Sequence, residues 1–382
     1  MPSQSHNLGM ADMKKFRNPV CVIQTSNWLN EYRNITTKFA VLNPLIVTSK
    51  GTLERLHLAS LFQTDSIFSD VMPNPTFSIA QKAIDFSRDY PCDGVVAIGG
   101  GSVMDVAKVV MAAKGAEIYN LGDIIFIGKR QIKHIKSIFI PTTHGTGSEV
   151  TMWSTLWNID EKRKYSITSP KLYPDVAILD GSLPLTLPLE DSIITVLDSL
   201  SHGFEAIWNK NRNPQSTKYA LESICLIFNN VNNLKNNPND LSTRTNLLAA
   251  SNISGLAFSN TETAAAHSIG YPLTAHYGVP HGLASFLALE PLLKINSPKI
   301  KIEIEIILDR LGLQSISELI QSLAEIPHPI VKTRLRDWGV KHDDLEWLVT
   351  QCMSSNRVRN NIIDLTKIDI RTILEQIYLP AL

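Results

Sequence analysis

The sequence has few cysteines and no long apolar run. Its 382 residues include only four cysteines, too widely spaced for a Cys-x-x-Cys pair: Cys21, Cys92, Cys225 and Cys352. This excludes a disulfide-rich scaffold, and we expect four reduced, mostly buried thiols. No segment approaches the ~20 apolar residues that span a bilayer, and the polar N-terminus lacks the apolar core of a signal peptide. We therefore expect a cytoplasmic protein without a membrane partner.

The chain also lacks an excess of charge of either sign. Its 36 basic and 36 acidic residues give a formal net charge of zero. Nucleic acid is therefore not an expected partner, although a local basic pocket for a small anionic substrate is compatible with this balance. The length is sufficient for two domains, and the apolar fraction of 44% is typical of a globular protein.

The first half of the chain alternates short apolar runs with helical patterns. Strands are predicted at residues 40–48, 93–98, 137–140 and 176–179, with helices between them at residues 79–90 and 103–113. Such alternation favours a parallel sheet covered by helices.

The second half of the chain has a different sequence pattern. Long helical patterns take over at residues 189–208, 216–234, 243–257 and 300–311, and the Asn-rich stretch 229–239 is interpreted as a loop. We expect an α/β domain at residues 1–182 and an all-α domain at residues 183–382, joined by a proline-rich hinge at residues 184–188. Two such halves would face each other across a cleft, where ligand sites are common.

Two glycine-rich turns follow predicted strands. Gly99-Gly100-Gly101-Ser102 opens a helix, and residues 141–151 (PTTHGTGSEVT) follow the next strand. Glycine lets the backbone approach a ligand, and the free N–H groups at a helix start favour a phosphate. The spacing is neither that of the Rossmann fingerprint nor that of a P-loop, so a plain strand-to-helix turn remains the alternative. Together the two turns favour a nucleotide site.

Four side chains suggest a metal site. Asp198 and His202 lie four residues apart on a predicted helix, so both occupy one face. His267 and His281 follow downstream. One carboxylate and three imidazoles suit Fe²⁺ or Zn²⁺. Each residue also has an ordinary structural interpretation, as a hydrogen-bonded helix pair, a core histidine and a loop histidine.

Taken together, these motifs resemble the iron-containing (group III) alcohol dehydrogenase family. Residues 99–108 (GGGSVMDVAK) resemble its cofactor loop, residues 141–151 its second loop, and the four metal candidates its ligands. Asn360-Asn361 resembles its Asn-Asn-Pro motif, with Ile362 in place of proline. The resemblance implies a dehydroquinate synthase-like fold, with a dinucleotide-binding α/β domain followed by a helical metal- and substrate-binding domain.

The same resemblance implies cofactor contacts and shows departures from the family. The implied contacts to NADH or NADPH are Gly99, Gly100, Gly101, Ser102, Asp105, Thr142, Thr143, Thr146, Lys164 and Ser49. NAD-preferring members often have Asp at the position of Ser49, where the carboxylate would repel the 2′-phosphate of NADPH. Because Ser49 removes that repulsion, we expect NADPH to be tolerated. His144 replaces a usual alanine. Tyr271 replaces a histidine near the nicotinamide and is the candidate for a proton-transfer or substrate role.

Within the family, residues 205–214 and 271–276 resemble phosphonoacetaldehyde reductases of phosphonate biosynthesis. The implied reaction reduces phosphonoacetaldehyde to 2-hydroxyethylphosphonate. Trp153, Arg212 and His276 are the substrate candidates, and Arg212 is the basic group among them that suits an anionic substrate. Lys210, Arg244 and Arg357 are further basic candidates.

Several alternatives stay open. A general short-chain alcohol dehydrogenase of butanol or propanediol type uses the same motifs. Asp plus three His also suits a metal-dependent hydrolase, although a hydrolase has no need of two nucleotide turns. A cyclase such as dehydroquinate synthase and a non-catalytic binding protein are less favoured. The family resemblance also implies a homodimer.

Overall fold

The computed structural model describes residues 16–127 and 132–378. Its centre is a six-stranded sheet in which every pairing is parallel, with the order β1-β8-β5-β4-β2-β3. The strands of this sheet are β1 (Cys21–Thr25), β2 (Pro44–Val47), β3 (Ile67–Phe68), β4 (Gly94–Gly99), β5 (Ser137–Pro141) and β8 (Val176–Asp180). A separate antiparallel hairpin joins β6 (Trp153–Asn158) to β7 (Arg163–Thr168).

Helices cover both faces of the sheet. In the first half of the chain they are α1 (Trp28–Phe39), α2 (Lys50–Arg55), α3 (Phe77–Asp89), α4 (Gly101–Ala116) and α5 (Leu121–Ile125). Every residue of β4, β5 and β8 is buried, which matches the continuous apolar runs of strands covered on two sides. Two apolar clusters, one on each face, hold these layers together.

From Leu189 onward the longer elements are all helical. They are α6 (Leu189–Ile207), α7 (Pro214–Asn236), α8 (Leu241–Thr261), α9 (Ala265–Tyr277), α10 (His281–Phe286), α11 (Leu289–Asn296), α12 (Lys301–Leu311), α13 (Ile316–Glu325), α14 (Leu345–Ser354) and α15 (Lys367–Tyr378). One large apolar cluster lies among them. None of the helices in the described residues is long and apolar enough to cross a bilayer.

The predicted fold class is confirmed, with two local corrections. The strand predicted at residues 40–48 begins only at Pro44, because Ala40 caps the end of α1 in a left-handed conformation. The Asn-rich stretch interpreted as a loop is wrong as far as Asn236. There α7 continues, since Val231 and Leu234 keep its buried face apolar.

The carboxyl ends of β4 and β5 meet at one edge of the sheet, next to the helical half. The N–H of Thr142, just after β5, donates to the carbonyl of Gly99 at the end of β4 (3.1 Å). Gly147 then brings the second turn against α8: its φ is +53°, and a Cβ there would lie 2.4 Å from the Cα of Gly255. The site is built where these turns touch the helices.

Candidate active site

Three helices bring the four metal candidates together. Asp198 and His202 lie one turn apart on α6, His267 lies in the first turn of α9, and His281 is the first residue of α10. Asp198 Oδ1 lies 4.0 Å from His202 Nε2, 3.7 Å from His267 Nε2 and 3.9 Å from His281 Nε2. The ligand atoms of Asp198, His267 and His281 all lie within 4.8 Å of one another. This is the spacing of a shared centre.

The donor atoms fit a bound cation. Asp198 Oδ1 and His267 Nε2 are buried and have no hydrogen-bond partner within the described residues. Buried polar atoms are normally paired, so these two call for a ligand that the protein itself does not supply. One carboxylate oxygen and three imidazole nitrogens suit a divalent first-row metal.

The electrostatics of the cluster also favour a bound cation. Burial opposes the charge of Asp198, but the imidazoles of His202 and its neighbours outweigh it and hold the pKa of the carboxyl below its usual range. Burial lowers the pKa of His202 to about 4 and that of His281 to about 3, so both rings are neutral near pH 7 and can ligate. Burial acts likewise on His267, yet Glu205 and Asp198 outweigh it and raise the pKa of that ring to about 10.

Glu205 orients His267, and sequence reasoning missed it. Its carboxylate accepts from His267 Nδ1 (2.6 Å) and from the His267 backbone N–H (3.0 Å), and its side chain is fully buried. This contact directs Nε2 toward Asp198, as outer-shell carboxylates do for metal-binding histidines. Glu205 follows Asp198 by seven residues and His202 by three. That helical spacing places it on the same face and was the available signal.

A cavity of about 1050 Å³ extends from this cluster to the sheet edge. Its walls include the four metal candidates. They also include nine of the ten predicted cofactor contacts: Ser49, Gly100, Gly101, Ser102, Asp105, Thr142, Thr143, Thr146 and Lys164. Gly99, the last residue of β4, does not form part of the wall. The cavity therefore joins the two glycine-rich turns to the metal candidates.

The two turns also pack directly on each other. A Cβ at Gly101 would lie 2.5 Å from the Cγ2 of Thr146, closer than side chains tolerate. Glycine is therefore required there so that the Thr146 side chain can pack on the backbone of the first turn, in addition to any contact with a ligand.

Lys108 anchors the second glycine-rich turn, and this role was not predicted from the sequence. Its buried ammonium donates to the carbonyls of Ser148 (2.8 Å) and Trp153 (2.9 Å) and to the hydroxyls of Ser148 (2.9 Å) and Thr151 (2.8 Å). Burial lowers its pKa to about 8, against the opposing effect of Asp105. The side chain thus ties α4 to the segment that leads into β6.

Comparison with known proteins agrees with this geometry. The sequence profile described as "Iron-containing alcohol dehydrogenase" matches residues 19–181, and the profile described as "Fe-containing alcohol dehydrogenase family, C-terminal" matches residues 192–378. The chain belongs to the iron-containing alcohol dehydrogenase family. It is therefore an oxidoreductase of the alcohol dehydrogenase and aldehyde reductase type, and the NAD(H) and metal requirement of that family agrees with its cavity.

Relatives and solved structures span most of the chain. It is 30% identical to long-chain-alcohol dehydrogenase 1 of Geobacillus thermodenitrificans over 81% of both chains. It is 29% identical to 1,3-propanediol dehydrogenase of Citrobacter freundii, over 83% of this chain and 86% of the relative. Sulfoacetaldehyde reductase of Bifidobacterium kashiwanohense, solved in complex with NAD⁺, superposes with a TM-score of 0.87. That structure is 26% identical and covers 95% of this chain and 98% of its own.

In this alcohol dehydrogenase, Tyr271 lies between the metal candidates and a lysine. Its ring stacks against His281 (centroids 6.1 Å apart), and Lys164 Nζ lies 3.9 Å from the centre of the Tyr271 ring. Trp153 and His276 also line the cavity, packed against Phe258 and Trp347 respectively.

Arg212 lies outside this cavity. Its Nη1 donates to Glu303 (3.0 Å) and to the carbonyl of Ile207 (2.8 Å), and the side chain lines a separate surface pocket. The structure therefore does not bring Arg212 together with the metal candidates. Lys210 pairs with Asp364, and Arg244 is buried against backbone carbonyls and a serine. Among the basic candidates beyond α6, Arg357 is the one that lines the cavity.

Proposed function

We propose that this enzyme uses NADH or NADPH to reduce a small anionic aldehyde to its primary alcohol, with phosphonoacetaldehyde as the first candidate. The observation that carries the proposal is the single cavity lined by the metal candidates and by both glycine-rich turns. The product would be 2-hydroxyethylphosphonate, in phosphonate biosynthesis. A metal hydrolase is disfavoured, because it has no use for the nucleotide part of this cavity.

Each wall has a proposed task. Asp198, His202, His267 and His281 would hold Fe²⁺ or Zn²⁺, and the turns at Gly100–Ser102 and Thr142–Thr146 would hold the nucleotide. When bound, the nicotinamide supplies the hydride, and the metal supplies Lewis acidity at the carbonyl oxygen. The chain itself contributes position, since it holds both partners in one cavity and so reduces the entropic barrier.

Tyr271 is the proposed group for moving a proton or binding the substrate oxygen. Burial raises the pKa of the phenol, but the charges of Lys164 and its neighbours outweigh it and lower the pKa below the usual value. The ring stacks on His281, next to the metal candidates, with the ring centroids 6.1 Å apart, and its hydroxyl lies 3.5 Å from that of Thr263. A phenol with a lowered pKa gives up its proton more readily.

The basic side chains around Tyr271 support an anionic substrate. Lys164 lies on its ring, and Arg357 is close enough to influence its pKa, although Arg357 also pairs with Glu262. Both cations line the cavity. A short phosphonate or sulfonate on the aldehyde could bind there. The likeness to a sulfoacetaldehyde reductase is consistent with this class of substrate.

A general short-chain alcohol dehydrogenase is the second candidate. The relatives at 29–30% identity act on long-chain alcohols and on 1,3-propanediol according to their names, so neutral substrates fit the family equally well. A homodimer stays a prediction for this enzyme, to be checked by its mass in solution.

The test follows NADH and NADPH absorbance with metal-loaded enzyme and three aldehydes: phosphonoacetaldehyde, sulfoacetaldehyde and butanal. We expect the highest kcat/KM for phosphonoacetaldehyde. Arg357→Ala should raise KM for that aldehyde and leave KM for butanal nearly unchanged, while Arg212→Ala, outside the cavity, serves as the matched control. Equal or better turnover of butanal would favour the general dehydrogenase. No cofactor oxidation with any aldehyde would overturn the proposal.

A further inference from the structure

The cavity extends past the glycine turn to the carboxyl end of β2. Ser49, Thr52 and Arg55 line it there. Because β2 pairs directly with β4, this wall adjoins the turn at Gly100–Ser102. In α/β sheets that bind dinucleotides, an acidic side chain near this point accepts the ribose hydroxyls of NAD, whereas an arginine accommodates the 2′-phosphate of NADP. The acidic side chain is replaced here by Ser49.

Arg55 is placed to be that arginine. It is the last residue of α2, yet its guanidinium folds back over the first turn of the helix. There Nη2 donates to the Thr52 hydroxyl (3.3 Å), and Nη1 lies 3.0 Å from the point where a Cβ of Gly51 would be. Arg55 Nε is buried and has no hydrogen-bond partner within the described part of the chain. The guanidinium therefore has donors to spare beside the cavity.

Two hydroxyls complete the same wall. The Ser49 hydroxyl donates to the Thr52 hydroxyl (3.0 Å) and accepts from the Thr52 backbone N–H (3.2 Å). Ser49, Thr52 and Arg55 thus form one connected chain of polar groups with a single positive charge at its end. A phosphate monoester, with several acceptor oxygens and up to two negative charges, matches a guanidinium fork beside hydroxyls.

Lys50 is the rival cation, and its position argues against it. Its ammonium pairs with Asp70 at 3.0 Å, with both side chains largely in solvent (74% and 52% exposed). It does not line the cavity, whereas its neighbour Ser49 does. Lys50 follows Ser49 directly in the sequence, but its side chain is directed to Asp70 and solvent and away from the cavity.

We propose that Arg55, with the hydroxyls of Ser49 and Thr52, is the binding site for the 2′-phosphate of NADPH, and that the enzyme prefers NADPH to NADH. This rests on the nucleotide-dependent function proposed above and adds the residue that selects the nucleotide. The bond formed is noncovalent, so the preference is a difference in affinity between two cofactors that share all other groups.

The experiment compares binding of two fragments by isothermal titration calorimetry, adenosine 2′,5′-bisphosphate and adenosine 5′-monophosphate. They differ only in the 2′-phosphate, and neither needs a metal or an aldehyde. We expect the wild-type protein to bind the bisphosphate at least about 10-fold more tightly. Arg55→Ala should reduce that ratio by about 10- to 100-fold, to near unity, and leave affinity for the monophosphate unchanged.

Three further variants sharpen the result. Lys50→Ala, the matched control, should leave the ratio within about 2-fold, since an exposed pair contributes little. Arg55→Lys keeps the charge but loses the fork, so it should retain part of the preference. Ser49→Asp introduces a carboxylate and should abolish the preference. Circular dichroism of each variant checks that the fold is intact.

Several outcomes would overturn the assignment. Equal affinity of the wild-type protein for both fragments would show that the 2′-phosphate is not recognised. Equal weakening of both fragments by Arg55→Ala would give Arg55 a role at the shared part of the nucleotide. Loss of the preference in Lys50→Ala would transfer the site to Lys50. Binding of neither fragment would overturn the proposed function itself, and this result is distinct from the other three.

Discussion

The two ends of the cavity are built on different principles. At the metal end, side chains from α6, α9 and α10 converge, and the unpaired atoms Asp198 Oδ1 and His267 Nε2 define the centre. At the nucleotide end, backbone turns after β4 and β5 pack on each other, and Gly101 leaves room for Thr146. The first end depends on the identity of a few functional groups, whereas the second depends on the shape of the chain. A substitution at the metal end should therefore change metal binding, whereas a substitution at the nucleotide end should change nucleotide affinity.

The largest effect is expected at the metal end. His267→Ala removes the imidazole that lies nearest to Asp198 (3.7 Å) and is stacked on His202, with ring centroids 4.7 Å apart. We expect aldehyde reduction to fall by more than the ~100-fold upper cost of losing an outer-shell partner. Metal content, measured by mass spectrometry after dialysis, should fall in parallel. Retention of both metal and activity would remove His267 from the ligand set.

A large effect on stability is expected beneath the nucleotide end. Lys108→Met removes the donor shared by four acceptors and one of the two positive charges that act on Asp105, the other being Lys164. We expect a loss of about 2–4 kcal/mol in the free energy of unfolding, measured in urea. Lys114→Met on the same helix is the control, because that ammonium is only partly buried in its contact and donates to the carbonyl of Ser87 (3.0 Å). Equal losses for both variants would contradict the role of Lys108.

Glu205→Gln tests whether the metal end needs its outer carboxylate. The amide keeps the shape but weakens the contact with His267 Nδ1, now 2.6 Å long. Affinity for Co²⁺, measured by chelator competition and by its visible absorption, should fall about 10- to 100-fold. Glu303→Gln, a carboxylate that pairs with Arg212 outside the cavity, should leave it unchanged. An unaltered Co²⁺ affinity in Glu205→Gln would assign Glu205 a purely structural role.

The smallest effect of the four is expected for Gly101→Ala. The new Cβ would lie 2.5 Å from Thr146, so the two turns must separate. We expect KM for the nucleotide to rise by roughly 10-fold, equivalent to about 1.4 kcal/mol, with metal content unchanged. A fall in metal content with normal nucleotide affinity would reverse the assignment of the two ends.

The sheet could be predicted because its central strands are almost entirely apolar, and β4, β5 and β8 were placed to within a residue or two. The edge strand β1 was not found. Its residues are exposed or half-buried, and the run is only five residues long, so it carries little of the signal of a buried strand. The hairpin β6–β7 was missed for a similar reason, since most of its residues are partly buried or exposed.

For the site, helical spacing and the family resemblance predicted more residues correctly than closeness in the sequence did. Asp198 and His202 share a face because they lie on one helix, and the same spacing reaches Glu205. Arg212 follows that helix closely, but the turn after Ile207 directs it to Glu303. The direction of the Arg55 side chain could not be predicted from the sequence either, because only the folded chain shows its guanidinium lying back over Gly51. Side chains in loops and short helices depend on tertiary contacts that periodicity does not encode.

The most direct test of this two-ended account is to remove the metal from the purified enzyme with a chelator and then measure two quantities. We expect reduction of phosphonoacetaldehyde to be lost, and to return with Fe²⁺ or Zn²⁺. Binding of NADPH, followed by its fluorescence, should persist throughout, because the nucleotide turns do not depend on the metal ligands. Unchanged turnover in the metal-free enzyme would contradict the account, as would loss of NADPH binding together with the metal.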